Sequence, residues 1–285
     1  MPLPIVERLG LPGLFDIHTH FLPPRVMAKV RAQFDAAGPL IGRPWPLEYR
    51  DDDEVLVETL RSFGVRHFTA LPYAHKPAMA EFLNDWAFAF AARTTGALRC
   101  ATFFPEPGVA DYVAARLETG VEVWKVHVQV GGFDVNDPLL DGAWGHVADA
   151  GTPVVLHAGS GPVATAYTGP DRVATLLARH PDLCLVMAHA GAPEYDEFMT
   201  LAERYPRVHL DTTMAFTDFF AGLGAPYPTE LLPRLRDLGE RVLLGSDFPN
   251  IPYPYGTQLD ALERLDLGDE WLRGVLWDNA VRLLL

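Results

Sequence analysis

Phe15-Asp16-Ile17-His18-Thr19-His20, near the N-terminus, is the stretch from which the rest of the sequence can be interpreted. The apolar residues 14–17 predict a short buried strand that ends in a His-x-His motif. Side chains two apart on a strand point to one face, so His18 and His20 are expected to project together, with Asp16 one step behind. Two converging imidazoles form a chelate that suits zinc and similar divalent metals. Because His-x-His also occurs in exposed loops, the metal interpretation depends on partners elsewhere in the chain.

The bulk composition indicates a soluble globular protein with an acidic surface. Its 285 residues are 49% hydrophobic and 21% charged, enough to bury a sizeable core. The net charge of −14 argues against nucleic acid or an anionic membrane as a partner. Cys100 and Cys184 lie in apolar runs without CxxC spacing, which indicates buried, reduced thiols. The sequence also lacks a signal-peptide pattern and any run of transmembrane length, so we expect a cytoplasmic protein.

Short apolar runs alternate with helical patterns along the whole chain. The predicted strands are residues 14–17, 65–71, 98–104, 121–128, 154–157, 183–189, 208–213 and 241–247. The predicted helices are residues 25–37, 51–62, 77–94, 109–118, 140–150, 172–179, 194–204, 229–238 and 270–284. Continuous apolar strands indicate a parallel sheet that is buried on both faces. Eight strands, with no Gly-x-Gly-x-x-Gly after the first, favour a (β/α)8 TIM barrel over an open doubly wound sheet.

No linker divides the chain, so residues 1–285 are predicted to form a single TIM-barrel domain. Residues 21–50 are rich in proline, arginine and aromatic residues, and we interpret them as a cap or insertion after strand 1. Within that segment, residues 38–46 are predicted to form a loop. Arg25 and Arg43 of this segment are candidates for holding a substrate carboxylate.

Polar side chains follow the predicted strands at the points where they end. Strand 1 ends in His18 and His20, strand 4 in Lys125 and His127, strand 5 in His157, strand 6 in His189 and strand 8 in Asp247. The C-terminal ends of barrel strands meet at one mouth, where active sites lie, so these side chains are expected to converge. An aspartate that ends an apolar run would be costly to bury without a cation nearby.

A glycine follows two of these histidines, in His157-Ala158-Gly159 and His189-Ala190-Gly191. Glycine adopts backbone conformations that other residues avoid, so both glycines predict a sharp turn of the chain at the rim of the mouth.

These motifs resemble those of the amidohydrolase superfamily, in particular the amidohydrolase-related branch that includes aminocarboxymuconate-semialdehyde decarboxylase. The resemblance is carried across nearly the whole chain by Asp16-Ile17-His18-Thr19-His20-Phe21-Leu22-Pro23, Lys125-Val126-His127, His157-Ala158-Gly159, Ala188-His189-Ala190-Gly191, Gly245-Ser246-Asp247-Phe248-Pro249 and Asp278-Asn279-Ala280-Val281-Arg282-Leu283-Leu284. It implies a distorted metal-dependent (β/α)8 barrel.

The resemblance also implies roles for individual residues. His18, His20, His157 and Asp247 would be ligands of one divalent metal, with zinc expected first and manganese, iron or cobalt also compatible. His189 would be the catalytic histidine beside the metal. Three further residues are secondary candidates: Asp16 to orient a ligand, Lys125 to pair a buried carboxylate or substrate anion or, carboxylated, to bridge two metals, and His127 to contact substrate.

Two reactions fit this set of residues. In the hydrolase interpretation, a metal-activated water attacks a small amide, lactone or ester, expected to be carboxylated, while Asp247 takes the proton and His189 polarises the carbonyl. In the decarboxylase interpretation, a carboxylated aromatic or muconate-type substrate loses carbon dioxide. The Lys-x-His of strand 4 resembles the hydrolases more, so we expect a hydrolase. A non-catalytic metal-binding barrel is the alternative of another class. A small-molecule substrate and a homodimer are the expected partners.

Overall fold

Eight parallel strands form the centre of the structure, a computed structural model that describes residues 3–285. The strands are β1 Leu14–Asp16, β2 Val65–Phe68, β3 Cys100–Thr102, β4 Val123–His127, β5 Val154–His157, β6 Leu185–Met187, β7 Val208–Asp211 and β8 Val242–Leu243. Strand β1 pairs with β2, and β3 to β8 pair in sequence order, all in parallel.

Backbone hydrogen bonds join the two sets of strands into a closed barrel. Between β2 and β3, the Phe68 amide donates to Gly96 O and the Leu98 amide donates to Phe68 O, both at 2.9 Å. Between β8 and β1, the Ile17 amide donates to Leu244 O at 2.9 Å. The structure is therefore a distorted (β/α)8 barrel, as the count of strands predicts.

Helices surround the barrel and connect the strands. The α-helices are α1 Pro4–Arg8, α2 Pro24–Ala36, α3 Gly38–Ile41, α4 Asp53–Ser62, α5 Ala80–Arg93, α6 Val109–Glu118, α7 Val128–Gly131, α8 Asp141–Ala150, α9 Pro170–Arg179, α10 Tyr195–Arg204, α11 Asp218–Ala221, α12 Leu232–Asp237, α13 Gly256–Glu263, α14 Asp269–Arg273 and α15 Asn279–Leu284. Turns of 3-10 helix span Pro138–Leu140, Ala188–Gly191, Thr229–Leu231 and Gly239–Arg241, and a π-helix spans Gly274–Asp278. Among the described residues, no helix has both the length and the apolar character needed to cross a membrane.

Buried apolar side chains fall into two main layers. The larger layer lies between the strands and the surrounding helices, where α9, for example, buries Val173, Leu176 and Leu177 along one face. The smaller layer lies inside the barrel, and we call it the barrel floor. Its members are Phe15, Ile17, Leu71, Leu98, Cys100, Val123, Val155, Val186, Ala188, Leu243 and Ala280. Cys100 and Cys184 are both buried and free, which confirms the prediction from their apolar surroundings.

Strand β4 shows how the same strands build both the floor and the mouth. Its alternate residues Val123, Lys125 and His127 share one face, and of these Val123 belongs to the barrel floor. The intervening Trp124 and Val126 pack against the outer helices. The side chains that face inward therefore change from apolar to polar toward the C-terminal end of the strand.

Several predicted boundaries are wrong. Strands predicted over residues 183–189 and 241–247 end earlier, since His189 and Asp247 adopt left-handed backbone conformations with φ of 57° and 73°. Residues 38–46 include the short helix α3, and the helix predicted over residues 270–284 is split by a π-helical turn. Just after that turn, the Asn279 side chain donates to Gly239 O and Val242 O, which ties the end of the chain to β8.

Residues 21–50 pack at the barrel mouth against the loops that follow the neighbouring strands β7 and β8. The indole Nε1 of Trp45 donates to Asn250 O at 2.8 Å, and the Glu48 amide donates to Ile251 O at 2.9 Å. The Arg43 guanidinium lies 4.4 Å from the centre of the Phe219 ring. These contacts fix the segment against the loops that follow β7 and β8.

Candidate metal centre and active-site cavity

Three of the four predicted metal ligands converge at the mouth of the barrel. His18, His20 and Asp247 each offer a ligand atom, and these atoms lie within 4.8 Å of one another. Asp247 Oδ1 lies 2.9 Å from His20 Nε2 and 3.7 Å from His18 Nε2. All three side chains are buried. We call them the mouth cluster.

The outer nitrogens of both histidines are held by acceptors. His18 Nδ1 donates to Asp211 Oδ2 at 2.8 Å, and His20 Nδ1 donates to Leu71 O at 2.9 Å. In a neutral ring, those protons leave the Nε2 lone pairs facing the carboxylate of Asp247. Such an arrangement needs a positive charge between the groups, and two imidazoles with a carboxylate are a donor set that divalent metals take. The residues of the mouth cluster therefore fit a divalent metal.

Lys125 supplies a positive charge next to the mouth cluster. Its Nζ lies 3.0 Å from His18 Nε2, and among the described residues no carboxylate oxygen lies within 4.0 Å of it. Lys125 thus contacts His18, and its predicted pairing with a substrate anion or its carboxylation stays a prediction. Burial lowers the pKa of Lys125 to about 8. Burial and then the charge of Lys125 lower the pKa of His18 well below its usual value, which keeps that imidazole neutral.

The carboxylate of Asp247 is held in its charged form. Burial by itself would raise its pKa, but the neighbouring side chains of His20, His18 and His189 outweigh burial. The net result is a pKa well below the usual range of an aspartate. An ionised carboxylate at this position is what a metal ligand requires.

Asp211, at the C-terminal end of β7, connects two of the predicted site residues and was missed in the sequence. Its Oδ2 accepts from His18 Nδ1, while its Oδ1 accepts from the backbone amides of His189 and Thr213 at 2.8 and 3.0 Å. Asp211 ends an apolar strand just as Asp247 follows one, so the same pattern could have identified it. It fixes the orientation of the His18 ring and the backbone position of His189.

Asp16 does not contact either imidazole ring, although the sequence suggested that it orients one of them. Its Oδ1 accepts from the His18 amide at 3.1 Å. Its Oδ2 accepts from the hydroxyls of Ser246 at 2.5 Å and Tyr255 at 2.9 Å. Burial raises the pKa of Asp16 to about 7. Asp16 therefore holds the backbone at His18 and the side chain of Ser246, which directly precedes Asp247.

His189 lies beside the mouth cluster in a strained conformation. Its ring centre is 5.3 Å from that of His18, and its φ of 57° is unusual for a residue with a side chain. Its Nδ1 lies 3.1 Å from Thr213 O, which can only accept, so the ring proton is on Nδ1. Burial lowers the pKa of His189 to about 4. His189 is thus a neutral imidazole whose Nε2 can accept a proton.

His157 and His127 form a stacked pair in the same cavity as the mouth cluster. Their ring centres are 3.9 Å apart with an interplanar angle of 12°. His157 Nε2 donates to Gly161 O at 3.0 Å, and the set of convergent ligand atoms does not include His157. The pair adjoins His189, whose ring centre lies 4.7 Å from that of His157. The predicted metal-binding role of His157 stays a prediction.

The two glycines that follow His157 and His189 serve different purposes. Gly191 has a φ of +80°, as expected for a turn at the rim. A side chain at Gly159 would instead bring its Cβ to 2.4 Å from Ala192 O. Gly159 is therefore required by the close approach of the next loop.

A cavity of about 540 Å³ opens above these residues. Its polar corner consists of the mouth cluster with Tyr73, Lys125, His127, His157 and His189. The remaining lining residues are Val30, Gln33, Phe34, Ala36, Ala37, Leu40, Ile41, Trp45, Gln129, Val130, Pro162, Val163, Thr165, Phe220 and Asn250. Neither Arg25 nor Arg43 lines the cavity, contrary to the expectation from the sequence.

A family model described as amidohydrolase matches residues 15–285. No curated protein matches the chain significantly.

Solved structures share the fold at low sequence identity. An uncharacterised TIM-barrel protein from Bordetella bronchiseptica is 19% identical with a TM-score of 0.75, covering 95% of this chain and 98% of its own. A probable 2-pyrone-4,6-dicarboxylic acid hydrolase from Acinetobacter baumannii, with citric acid bound, is 15% identical with a TM-score of 0.61, covering 95% and 99%. A 5-carboxyvanillate decarboxylase from Novosphingobium aromaticivorans, complexed with manganese and a nitrobenzoic acid, is 13% identical with a TM-score of 0.62, covering 96% and 97%. The likeness extends over nearly the full length of each chain.

Proposed function

The chain belongs to the amidohydrolase family, and on that premise we propose that it is a metal-dependent hydrolase that cleaves a small amide, lactone or ester. The observation that supports this proposal most directly is the mouth cluster. The Nε2 atoms of two histidines face one carboxylate oxygen, and the Nδ1 atoms of the same rings already donate to other acceptors. We propose that His18, His20 and Asp247 hold one divalent metal, zinc in the first instance, and that His157 is a predicted fourth ligand.

A divalent metal at this site would supply Lewis acidity, which lowers the pKa of water and polarises a carbonyl. The protein's own residues then move the protons. Asp247, charged and aimed into the cluster, accepts a proton from the attacking water. The water oxygen bonds to the carbonyl carbon, and the bond to the leaving group breaks.

The tautomer of His189 changes the role that the sequence suggested for it. A ring with its proton on Nδ1 has no proton on Nε2, so it cannot polarise a carbonyl by donating a hydrogen bond. We propose that His189 Nε2 instead accepts the proton that Asp247 took from the water and passes it to the leaving group. Asp211 bonds to both the His18 ring and the His189 backbone, so it fixes the position of His189 relative to His18.

Decarboxylation is the second candidate, because the same corner adjoins an aromatic wall. The Phe220 ring lies nearly parallel to the His189 ring, at 10° with centres 5.6 Å apart, so a flat aromatic acid has a surface to rest on. In that reaction, the bond between the ring carbon and the carboxylate carbon breaks, carbon dioxide leaves, and the ring carbon takes a proton that comes from water.

We also propose a setting for the enzyme. Residues 1–285 form one domain in which residues 21–50 act as a cap on the cavity, and the chain works as a cytoplasmic homodimer without nucleic-acid or membrane partners. The segment supports the cap role, because α2, α3 and Trp45 contribute one wall of the cavity. Light scattering on the purified protein tests the dimer.

One experiment tests the reaction and separates it from the alternatives. Purified protein is analysed for bound metal and then, before and after chelation, incubated with lactones, esters, amides and carboxylated aromatics. Both hydrolysis products and carbon dioxide are followed. We expect one divalent metal per chain and hydrolysis that is lost on chelation and restored by zinc, manganese or cobalt.

Other outcomes would contradict the proposal. Carbon dioxide release without hydrolysis of any compound would establish the decarboxylase instead. Hydrolysis at an unchanged rate after complete metal removal would contradict metal dependence. A folded protein that binds metal but converts none of the compounds would favour the non-catalytic barrel.

A further inference from the structure

The cavity has a polar corner and an apolar remainder. On the side of residues 21–50, its wall is formed by Val30, Phe34, Leu40, Ile41 and Trp45. The polar end of the Trp45 indole is already used, since its Nε1 donates to Asn250 O at 2.8 Å. This wall therefore presents mainly carbon atoms and no charge to an occupant, and the uncharged amide of Gln33 is its polar exception.

The opposite wall has the same character. It includes Val130, Pro162 and Val163. Gln129 also lies there, but its amide nitrogen is used in a hydrogen bond to Val163 O at 2.6 Å. Both walls that lead away from the polar corner are thus neutral and mainly apolar.

Positive charge is confined to the corner itself. Apart from the histidines, Lys125 is the one cationic side chain that lines the cavity within residues 3–285, and its Nζ is 3.0 Å from His18 Nε2. Arg43 points elsewhere, with its guanidinium over the Phe219 ring. A second carboxylate on a substrate, far from the corner, would meet no cation and would lose hydration without compensation.

Exposed apolar side chains mark the entrance to the cavity. Leu40 is 71% exposed and Val130 is 44% exposed, and the two residues lie on opposite walls. Large side chains exposed beside a cavity gain from contact with an apolar ligand, since burial of their surface removes it from water. The apolar character thus continues from the interior to the rim.

We propose that the substrate consists of one polar reacting group, which lies at the mouth cluster, and an uncharged apolar chain or ring. The apolar part lies between α2–α3 and residues 162–165 and extends to Leu40 and Val130. The cavity volume of about 540 Å³ falls in the range of pockets that enclose most of a small organic ligand. This inference rests on the proposed function only for the identity of the reacting group.

Binding measurements test the apolar wall independently of turnover. The metal-loaded protein is titrated by calorimetry with straight-chain alkanoates from butanoate to octanoate, and with α,ω-dicarboxylates of equal length. We expect the affinity of the alkanoates to rise about three- to fourfold for each methylene. Each dicarboxylate is expected to bind at least about tenfold more weakly than its matched alkanoate, because its second charge lies on the apolar wall.

A positive charge placed on the wall should abolish the preference for the alkanoate. Leu40→Arg is expected to lower the ratio of octanoate to octanedioate affinity about tenfold, since the guanidinium can pair with the distal carboxylate. Leu139→Arg is the matched control, because Leu139 is also exposed, at 47%, and does not line the cavity. Both substitutions are at exposed positions, and the melting temperature of each variant checks that it folds.

The outcomes separate this inference from the proposed reaction. Three results would contradict the proposal of an apolar substrate. They are an affinity that does not change with chain length, dicarboxylates that bind as well as alkanoates, and no binding of either series. Those results would leave hydrolysis untouched. If the chain-length dependence holds and no compound is hydrolysed, the apolar wall stands and the reaction is wrong.

Discussion

The barrel interior has two regions that the same strands build, the apolar floor and the polar mouth. Val123 on β4 and Val155 on β5 belong to the floor. Two residues further along each strand, the inward positions hold Lys125 and His157. The floor side chains are nearly fully buried and carry no charge, so they need no partners beyond close packing. The mouth side chains are equally buried but polar, and each needs a specific hydrogen bond or a cation.

The difference shows how burial acts in opposite ways within one barrel. In the floor, burial removes apolar surface from water and stabilises the fold. In the mouth, burial lowers the pKa values of His18, Lys125 and His189. His189 and Asp247 also have left-handed backbone conformations, which are costly for residues with side chains. We therefore expect mouth substitutions to reduce activity with little loss of stability, and floor substitutions to do the reverse.

Loss of Asp247 should have the largest effect on activity. Asp247→Ala removes both a metal ligand and the proposed proton acceptor, so we expect kcat/KM to fall by at least about 10⁴-fold and the bound metal to be lost. Turnover and metal content are measured on the same preparation. Asp260→Ala, at an exposed position on α13, is the control and should change neither. Near-normal turnover of Asp247→Ala would refute both roles.

Substitution of His189 separates proton transfer from metal binding. His189→Asn is expected to lower kcat by about 10²–10⁴-fold, the usual contribution of a positioned proton carrier, while metal content stays at the wild-type level. The exposed His146 provides the control His146→Asn. Loss of metal in His189→Asn would make His189 a ligand, and unchanged kcat would remove it from the mechanism.

Asp211 should have a smaller, indirect effect. An asparagine side chain offers one acceptor oxygen, so Asp211→Asn cannot accept from His18 on one side and from the His189 and Thr213 amides on the other. We expect a 10–100-fold loss of metal affinity, measured by competition with a chelator. Asp260→Asn is the matched control. An unchanged affinity in Asp211→Asn would show that the ring of His18 keeps its orientation without this carboxylate.

The sequence predicts well what depends on alternation and strand order. Eight apolar runs gave the barrel, and the positions of His18, His20 and Asp247 at strand ends gave the cluster, because parallel strands bring their C-terminal ends together. Asp211 follows the same pattern, but it lies inside the predicted strand 208–213, so its position at the end of β7 became visible only in the structure.

Side-chain rotation and backbone strain were not readable from the sequence. His157 ends β5 as predicted, yet its Nε2 turns to Gly161 O and its ring stacks on His127. The proton position of His189 depends on Thr213 O, 24 residues away in the chain. Arg43 was expected in the cavity, but it packs on Phe219, a contact between distant loops that no local pattern encodes.

The floor provides the complementary test, with the smallest expected effect on catalysis. Leu98 is 4% exposed, belongs to the floor and precedes β3, a strand that contributes no residue to the mouth cluster. Leu98→Ala leaves a cavity there, and we expect it to cost about 2–5 kcal/mol of unfolding free energy. For a chain of this size, that cost lowers the melting temperature by roughly 5–15 °C. Since β3 does not hold the catalytic groups, kcat/KM at a temperature where the variant is folded should stay within about twofold of wild type.

Leu139→Ala is the control for that measurement, because Leu139 is exposed and its truncation should change stability by no more than about 0.5 kcal/mol. A Leu98→Ala variant that melts as the wild type but loses turnover would mean that the floor supports the geometry of the mouth. Packing in the floor would then determine activity as well as stability, and the two regions could not be assigned separate roles. If turnover is kept and stability is lost, the division holds at a spacing of two residues, the distance from Val123 to Lys125.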